Sequence, residues 1–105
     1  MSNPRYTPAG FLVDGRGFGL QSRPRWVERA ELESALRRAF DAAQLQHEWA
    51  RAINAALRDL DMDLVDYAAA VGDSADRTSR VLRGKVIMRL EDIAAATREL
   101  RVSID

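Results

Sequence analysis

Apolar residues recur at helical spacing through most of the chain after residue 25. They fall on one side of a helix over residues 26 to about 45, and they do so again over residues 48–60. The residues predicted to face inward are Leu32, Leu36, Ala39, Phe40, Ala43, Trp49, Ile53, Leu57 and Leu60. Because polar residues interrupt the stripe near residues 44–47, the pattern favours two helices with a break there. One long helix to residue 60 also fits, since no proline or glycine intervenes.

A pair of short helices around a tight turn is predicted within residues 62–85. Asp63 is a favourable N-cap for the first helix, and Asp66 adds negative charge to its first turn, where the free backbone N–H groups lie. Gly72 supplies the left-handed residue that ends this helix. The predicted inward residues are Leu64, Tyr67, Ala68 and Val71.

The second helix of the pair is predicted from about residue 75 to residue 83. The Asp73-Ser74 dipeptide offers an oxygen that caps its start, and Gly84 ends it. Its inward residues are predicted to be Thr78, Val81 and Leu82, and its outward residues Asp76, Ser79, Arg80 and Arg83.

A last helix is predicted from about residue 89, followed by an apolar tail at Val102 and Ile104. The residues predicted to face inward from this helix are Leu90, Ile93, Ala94 and Leu100.

Residues 1–25 differ in composition from the rest of the chain. They hold all three prolines and four of the six glycines, so they cannot form a long helix. The Asp14-Gly15 pair between residues 11–13 and 18–20 predicts a small β-hairpin. The glycines of residues 15–19 lack the Lys-Ser/Thr ending of a phosphate-binding loop, which is therefore not favoured. The basic segment is either an arm that touches DNA or a tail or strand that docks a partner, and the second is favoured.

Composition limits the kinds of protein this chain can be. A length of 105 residues with 47% apolar content suits one domain with an N-terminal extension. The absence of cysteine excludes disulfides and thiolate metal sites and fits a cytoplasmic protein. We expect neither secretion nor membrane insertion, since there is no signal peptide and no long apolar run.

The single histidine, His47, has no partner for a metal site and is expected to be a packing or surface residue. With no nucleophile beside a base, neither catalysis nor a cofactor is expected.

Charge is balanced overall but strongly segregated near the helix pair. Sixteen basic and sixteen acidic residues give a formal net charge of zero, which does not suit a protein whose whole surface binds nucleic acid. Over residues 59–76 every charged residue is acidic. Over residues 77–89 every one is basic: Arg77, Arg80, Arg83, Lys85 and Arg89. The second helix of the pair therefore begins a basic face.

The pattern Ala68-x-x-x-Gly72-x-Ser74, followed by residues 79–84 (SRVLRG), resembles the helix-turn-helix of the phage-repressor and Cro-type DNA-binding family, also called XRE. The resemblance covers roughly the C-terminal half. Asp73 and Thr78 stand where members usually have apolar residues, and Leu64 where many carry a DNA-contacting Gln. The resemblance implies an all-α, compact helical bundle of lambda-repressor-like type. Residues 46–105 would then form the DNA-binding domain, residues 1–25 an arm or hairpin, and residues 26–45 an extra helix with a possible dimer or partner surface.

The function implied is a dimeric, repressor-like transcription regulator that binds double-stranded DNA in the bacterial cytoplasm or nucleoid. With the second helix in the major groove, the base-facing residues are Ala75, Asp76, Ser79 and Arg80. The phosphate-contacting residues are Ser74, Arg77, Arg83 and Lys85. Asp76 and Arg80 can also form an i, i+4 ion pair. The alternative is a protein-interaction module or antitoxin-like partner protein on the same fold, with weak or no DNA binding. Zero net charge, the acidic Asp73 and Asp76 and the missing Gln favour that alternative.

Overall fold

The structure is a computed structural model that describes residues 6–104, and these residues form an all-α domain. Four helices follow one another: α1 (Ser34–Asp59), α2 (Leu64–Val71), α3 (Ala75–Leu82) and α4 (Leu90–Leu100). Short 3-10 turns at Pro8–Phe11 and Arg29–Glu31 precede them. Within residues 6–104 there is no β-strand, only one isolated antiparallel bridge between Leu12 and Trp26. The predicted all-α class is therefore confirmed, and the radius of gyration of 14.0 Å is that of a compact chain.

The helix α1 is continuous over 26 residues, so the predicted break near residues 44–47 is wrong. Polar residues interrupt its apolar stripe because Gln46 and His47 are themselves buried, with 5% and 0% of their surface exposed. Both side chains bind backbone groups of other segments. The predicted start at residue 26 is also wrong, since Trp26 pairs with Leu12 in extended backbone before the helix begins at Ser34.

The predicted hairpin around Asp14-Gly15 is wrong. The Val13 N–H donates to the Arg25 carbonyl at 2.8 Å, so this strand-like stretch pairs with the residues around Trp26 and not with residues 18–20. Asp14 instead accepts a local hydrogen bond from the Arg16 N–H at 3.1 Å, which forms a turn of its own. The first five residues of the predicted arm lie outside the described residues.

The N-terminal segment completes two apolar clusters of the domain. The main core comprises Ala9, Leu12, Phe18, Ala50, Ile53, Leu57, Tyr67, Leu82 and Ala96. The smaller cluster comprises Phe11, Phe40 and Ala43, with Val27, Leu32 and Ala39 packed against it. Trp26 packs on both clusters and meets Phe40 edge-to-face at 5.9 Å between ring centroids. Phe40 and Ala43 on the first half of α1 are thus covered by the chain's own N-terminal segment.

Several predicted inward residues point outward. Leu60 is exposed because α1 ends at Asp59 and the chain turns through Asp61 in the left-handed region (φ 51°). On α4, Leu90 is 84% exposed and Ala94 is exposed, while Ala96 is buried and Leu100 packs on the core. In the first turn of α4, Asp92 is partly buried and pairs with Arg77 of α3.

In the part of the chain that the structure describes, no helix combines the length and the apolar character needed to cross a membrane.

Candidate nucleic-acid interface

The turn between α2 and α3 has the predicted geometry. Gly72 adopts φ 77° and ψ 29°, a left-handed conformation that a residue with a Cβ rarely takes. The Gly72 N–H donates to the Ala69 carbonyl at 3.2 Å and the Asp73 N–H to the Ala68 carbonyl at 2.9 Å, which closes the end of α2. Asp63 occupies the N-cap of α2, as predicted, but its side chain makes no hydrogen bond to the helix.

The start of α3 is fixed by Ser74, whose hydroxyl oxygen accepts a hydrogen bond from the Arg77 N–H at 3.0 Å. The predicted inward residues Thr78, Val81 and Leu82 are all buried. Thr78 is accommodated among apolar neighbours because its hydroxyl donates to the Ser74 carbonyl at 2.8 Å. The hydroxyl of this buried polar side chain is therefore satisfied at the start of the helix itself.

Arg77 links α3 to the start of α4. Its Nη1 and Nη2 atoms donate to the two carboxylate oxygens of Asp92, each at 2.9 Å, and Nη1 also donates to Asp73. Such two-point pairing is among the stronger polar contacts in proteins. Asp92 additionally accepts from the Arg89 N–H at 2.8 Å, which caps the first turn of α4. The network connects the α2–α3 turn, α3 and the start of α4.

The charges of this network are stabilised by the contacts. Burial acts to raise the pKa of Asp92, but hydrogen bonds from the Arg77 guanidinium and the Arg89 N–H outweigh it and hold that pKa below its usual value. Hydrogen bonds to Asp92 and Asp73 raise the pKa of Arg77. Because its side chain is only 23% exposed and is committed to two carboxylates, Arg77 does not fit the phosphate-contacting role predicted for it.

The outer face of α3 carries the other predicted contact residues. Asp76 and Arg80 have side chains 78% and 52% exposed and form the expected i, i+4 ion pair at 2.7 Å. A pair this exposed contributes little to stability, so Arg80 can exchange it for another partner. Ala75 and Ser79 are partly buried beside them. Ser74 is exposed at the N-cap of α3, and Arg83 and Lys85 are exposed directly after the helix.

A shallow basic groove of about 500 Å³ adjoins this face. Its lining residues are Arg77, Arg80, Val86, Ile87 and Arg89. Arg89 is exposed and was absent from the predicted contact set, although the uninterrupted basic run over residues 77–89 was a signal for it. Arg80 and Arg89 thus line one groove. Arg83 and Lys85 are exposed in the segment that directly follows α3.

The N-terminal segment packs against the C-terminal end of α3. The Ala9 N–H donates to the Gly84 carbonyl at 3.0 Å. Gly19 lies so close that a Cβ on it would sit 2.4 Å from the Leu82 carbonyl oxygen. An apolar groove of about 420 Å³ runs between this segment and the helices, with Phe18 and Leu20 on one side and Ser79 and Arg83 on the other.

Three polar side chains of α1 hold the irregular segments around α3. Buried His47 accepts the Gly19 N–H at Nδ1 (2.8 Å) and faces the Gln21 carbonyl with Nε2 (2.9 Å), so the imidazole is neutral with its proton on Nε2. Burial lowers the pKa of His47, which favours that neutral form. Asn54 donates to the Gly19 carbonyl at 2.9 Å, and Gln46 binds the segment after α3. The prediction of His47 as a packing residue is confirmed, whereas these hydrogen-bonding roles were missed.

A third cavity, of about 250 Å³, lies between α1, α2, α3 and α4. Ile53, Tyr67, Val71 and Met88 line its interior. Burial, followed by the nearby Asp92 and Glu99 carboxylates, raises the pKa of Tyr67 to about 12, so this phenol is neutral at physiological pH. Within residues 6–104 no group of three or more acidic, histidine or cysteine side chains is arranged to hold a metal ion.

Comparison of the chain with protein-family models, curated proteins and solved structures gives no significant match. Its function must therefore be inferred from the side chains and their arrangement.

Proposed function

We propose that this chain is a sequence-specific DNA-binding regulator, with a lambda-repressor-like helix-turn-helix formed by α2 and α3. The single observation that carries the proposal is the outer face of α3, where exposed Arg80 pairs with exposed Asp76 and shares a groove with exposed Arg89. The Gly72 turn and the Arg77–Asp92 ion pair connect α3 to α2 and α4. A rigid, exposed helix with mixed hydrogen-bonding groups is what major-groove recognition requires.

The proposed division of labour follows from side-chain chemistry. Arg80 binds a guanine edge through two donors, and Asp76 accepts from a cytosine amino group, with Ala75 and Ser79 completing the base-facing set. Ser74, Arg83 and Lys85 contact phosphates, and Arg89 replaces Arg77 in this role. The Asp76 carboxylate repels phosphates, which lowers affinity for unrelated DNA. Binding as a homodimer to a two-fold site in the bacterial cytoplasm completes the proposal.

A second candidate function is a protein-interaction module on the same fold, such as an antitoxin-like partner protein. The apolar groove between Leu20 and Ser79 favours it, because this groove borders α3 and would accept an apolar segment of another protein. Zero net charge also suits it. In this case the contacts of α3 with DNA are weak or absent.

Charge reversal on α3 tests the proposal. The double variant Arg80→Glu with Arg83→Glu removes one base contact and one phosphate contact, and we expect it to lose DNA binding by at least about a hundredfold. The matched control, Arg38→Glu with Arg98→Glu, makes the same change of net charge at exposed arginines outside α3 and the segment after it. Each protein is titrated against a random duplex library and then against the selected duplexes, with far-ultraviolet circular dichroism as the check of folding. Equal loss in both variants, or none in either, would refute specific recognition by α3.

A further inference from the structure

The carboxamide of Gln46 joins three separate parts of the structure. From the middle of α1, its Nε2 donates to the Val81 carbonyl at 2.9 Å and to the Val86 carbonyl at 3.0 Å. Its Oε1 accepts the Met88 N–H at 2.8 Å. The side chain is 5% exposed, so these contacts replace solvent almost completely.

The hydrogen-bonding capacity of Gln46 matches the need of its surroundings. Both amide protons and the carbonyl oxygen are used. The Val86 carbonyl and the Met88 N–H lie outside every α-helix and β-strand, so Gln46 supplies their hydrogen bonds, whereas the Val81 carbonyl also accepts the Gly84 N–H at 3.2 Å. Removing such a buried partner leaves backbone groups unsatisfied, which is more costly than losing a contact at the surface. Gln46 is therefore the main polar anchor of this segment on α1.

The anchored segment carries charges of the basic face. Lys85 precedes the Val86 carbonyl, and Arg89 follows the Met88 N–H. The Lys85 N–H also donates to the Arg80 carbonyl at 2.8 Å, so the segment begins directly from the last turn of α3. Through Val81 at one end and residues 86–88 at the other, Gln46 fixes the direction in which the chain leaves α3.

We propose that Gln46 is the positioning residue of the DNA-binding face: it sets where Lys85 and Arg89 lie relative to Arg80 and Arg83, without touching DNA itself. This inference rests on the proposed function and deepens it. It makes a buried residue of α1 responsible for placing the cations after α3 against the DNA phosphates. The phosphate contacts after α3 depend on this anchor.

The test compares Gln46→Met with the unsubstituted chain. Methionine keeps the volume and removes all three hydrogen bonds, and Gln44→Met, two residues earlier on the same helix, is the matched control. Amide hydrogen exchange is measured without DNA, and the dependence of DNA affinity on salt is measured with the duplex that the unsubstituted chain selects. We expect Gln46→Met to lose protection at the Met88 amide by at least about tenfold. Its slope of log affinity against log salt should fall by about 1–2, the value for one or two lost phosphate contacts.

The outcomes separate this inference from the proposed function. If Gln46→Met keeps both the Met88 protection and the salt slope, or loses protection with an unchanged slope, the positioning role is wrong while DNA binding stands. If the unsubstituted chain binds no duplex, the proposed function and the inference fail together. If Gln46→Met does not fold, amide hydrogen exchange in the unsubstituted chain still tests the inference. The Met88 amide should exchange far more slowly than the neighbouring Ile87 amide, and equal rates would overturn the anchoring role of Gln46.

Discussion

Protonation of His47 should weaken the fold in mildly acidic solution. In the neutral imidazole, Nδ1 accepts the Gly19 N–H and Nε2 donates to the Gln21 carbonyl. A second proton would occupy Nδ1 and oppose the Gly19 N–H, so one of two buried donors would lose its acceptor. Residues 18–21 carry no ionisable side chain that could compensate, and Glu48 and Arg51 on α1 act on the histidine in opposite directions.

The sign of the effect follows from the lowered pKa of His47 in the folded chain. In the unfolded chain the histidine takes up its proton near pH 6.5, before the folded chain does. Its stabilising contribution is therefore complete above about pH 6.5 and is lost as the pH falls towards the folded-state pKa. The loss can reach about 1.4 kcal/mol per pH unit over that interval. The carboxyl pKa values of Asp41 and Asp92 are also lowered, but their contributions are lost only below about pH 4, so the two effects separate.

Substitution gives the size of the interaction. His47→Leu leaves the Gly19 N–H buried without an acceptor, which costs about 1–3 kcal/mol, and the loss of the Gln21 contact adds about 0.5–1.5 kcal/mol. The expected destabilisation of about 2–4 kcal/mol is a large part of the stability of a domain of this size. His47→Gln keeps one donor and one acceptor without a group that titrates in this range, so it should lose less and should show no change of stability between pH 7.5 and 5.

The assay is urea unfolding followed by circular dichroism and tryptophan fluorescence from pH 8 to 5. The unsubstituted chain should lose stability below about pH 6.5, and His47→Gln should not. A flat profile for the unsubstituted chain, or the same loss in His47→Gln, would refute the role given to the imidazole.

Two further predictions concern the surroundings of α3. Gly19→Ala should lower the free energy of unfolding by about 2–5 kcal/mol, because Gly19 has φ 77° and a Cβ there would overlap the Leu82 carbonyl. Gly15→Ala, at φ 69° with open space around it, should lower it by only about 1–2 kcal/mol. Equal thermal stabilities of the two variants would contradict the close packing of Gly19. Arg77→Met should lower the free energy of unfolding by about 1–3 kcal/mol, because it removes the partly exposed ion pair with Asp92. A double-mutant cycle with Asp92→Asn should show most of this loss as coupling energy between the two residues. Additive effects in that cycle would show that the two residues act separately.

The local features of the α2–α3 pair were predictable from the sequence. Gly72, Ser74 and the inward stripe of α3 depend on backbone geometry and on spacing within a few residues, which a sequence displays directly. The Asp76–Arg80 ion pair follows from the same spacing. These predictions are confirmed.

The features that were missed depend on contacts between distant segments. A buried Gln or His looks like a break in an apolar stripe, and only the fold reveals that Gln46 faces residues 86–88 and that His47 faces Gly19. The same holds for Arg77, which lies within a basic run but is committed to Asp92, 15 residues away. A docked N-terminal segment could not be distinguished from a free arm, because its anchors are contacts with distant residues, such as the Ala9–Gly84 backbone hydrogen bond and the packing of Phe18.

The central claim is that α3 and the basic residues after it recognise a specific duplex. The most direct measurement is fluorescence anisotropy of the purified chain with DNA from upstream of its own gene and with a scrambled duplex, over a salt series. We expect at least about a thousandfold preference for the upstream duplex at physiological salt, with an affinity that falls steeply as salt rises. Equally weak binding to both duplexes, together with no selected site from a random library, would contradict the claim and favour the protein-interaction module.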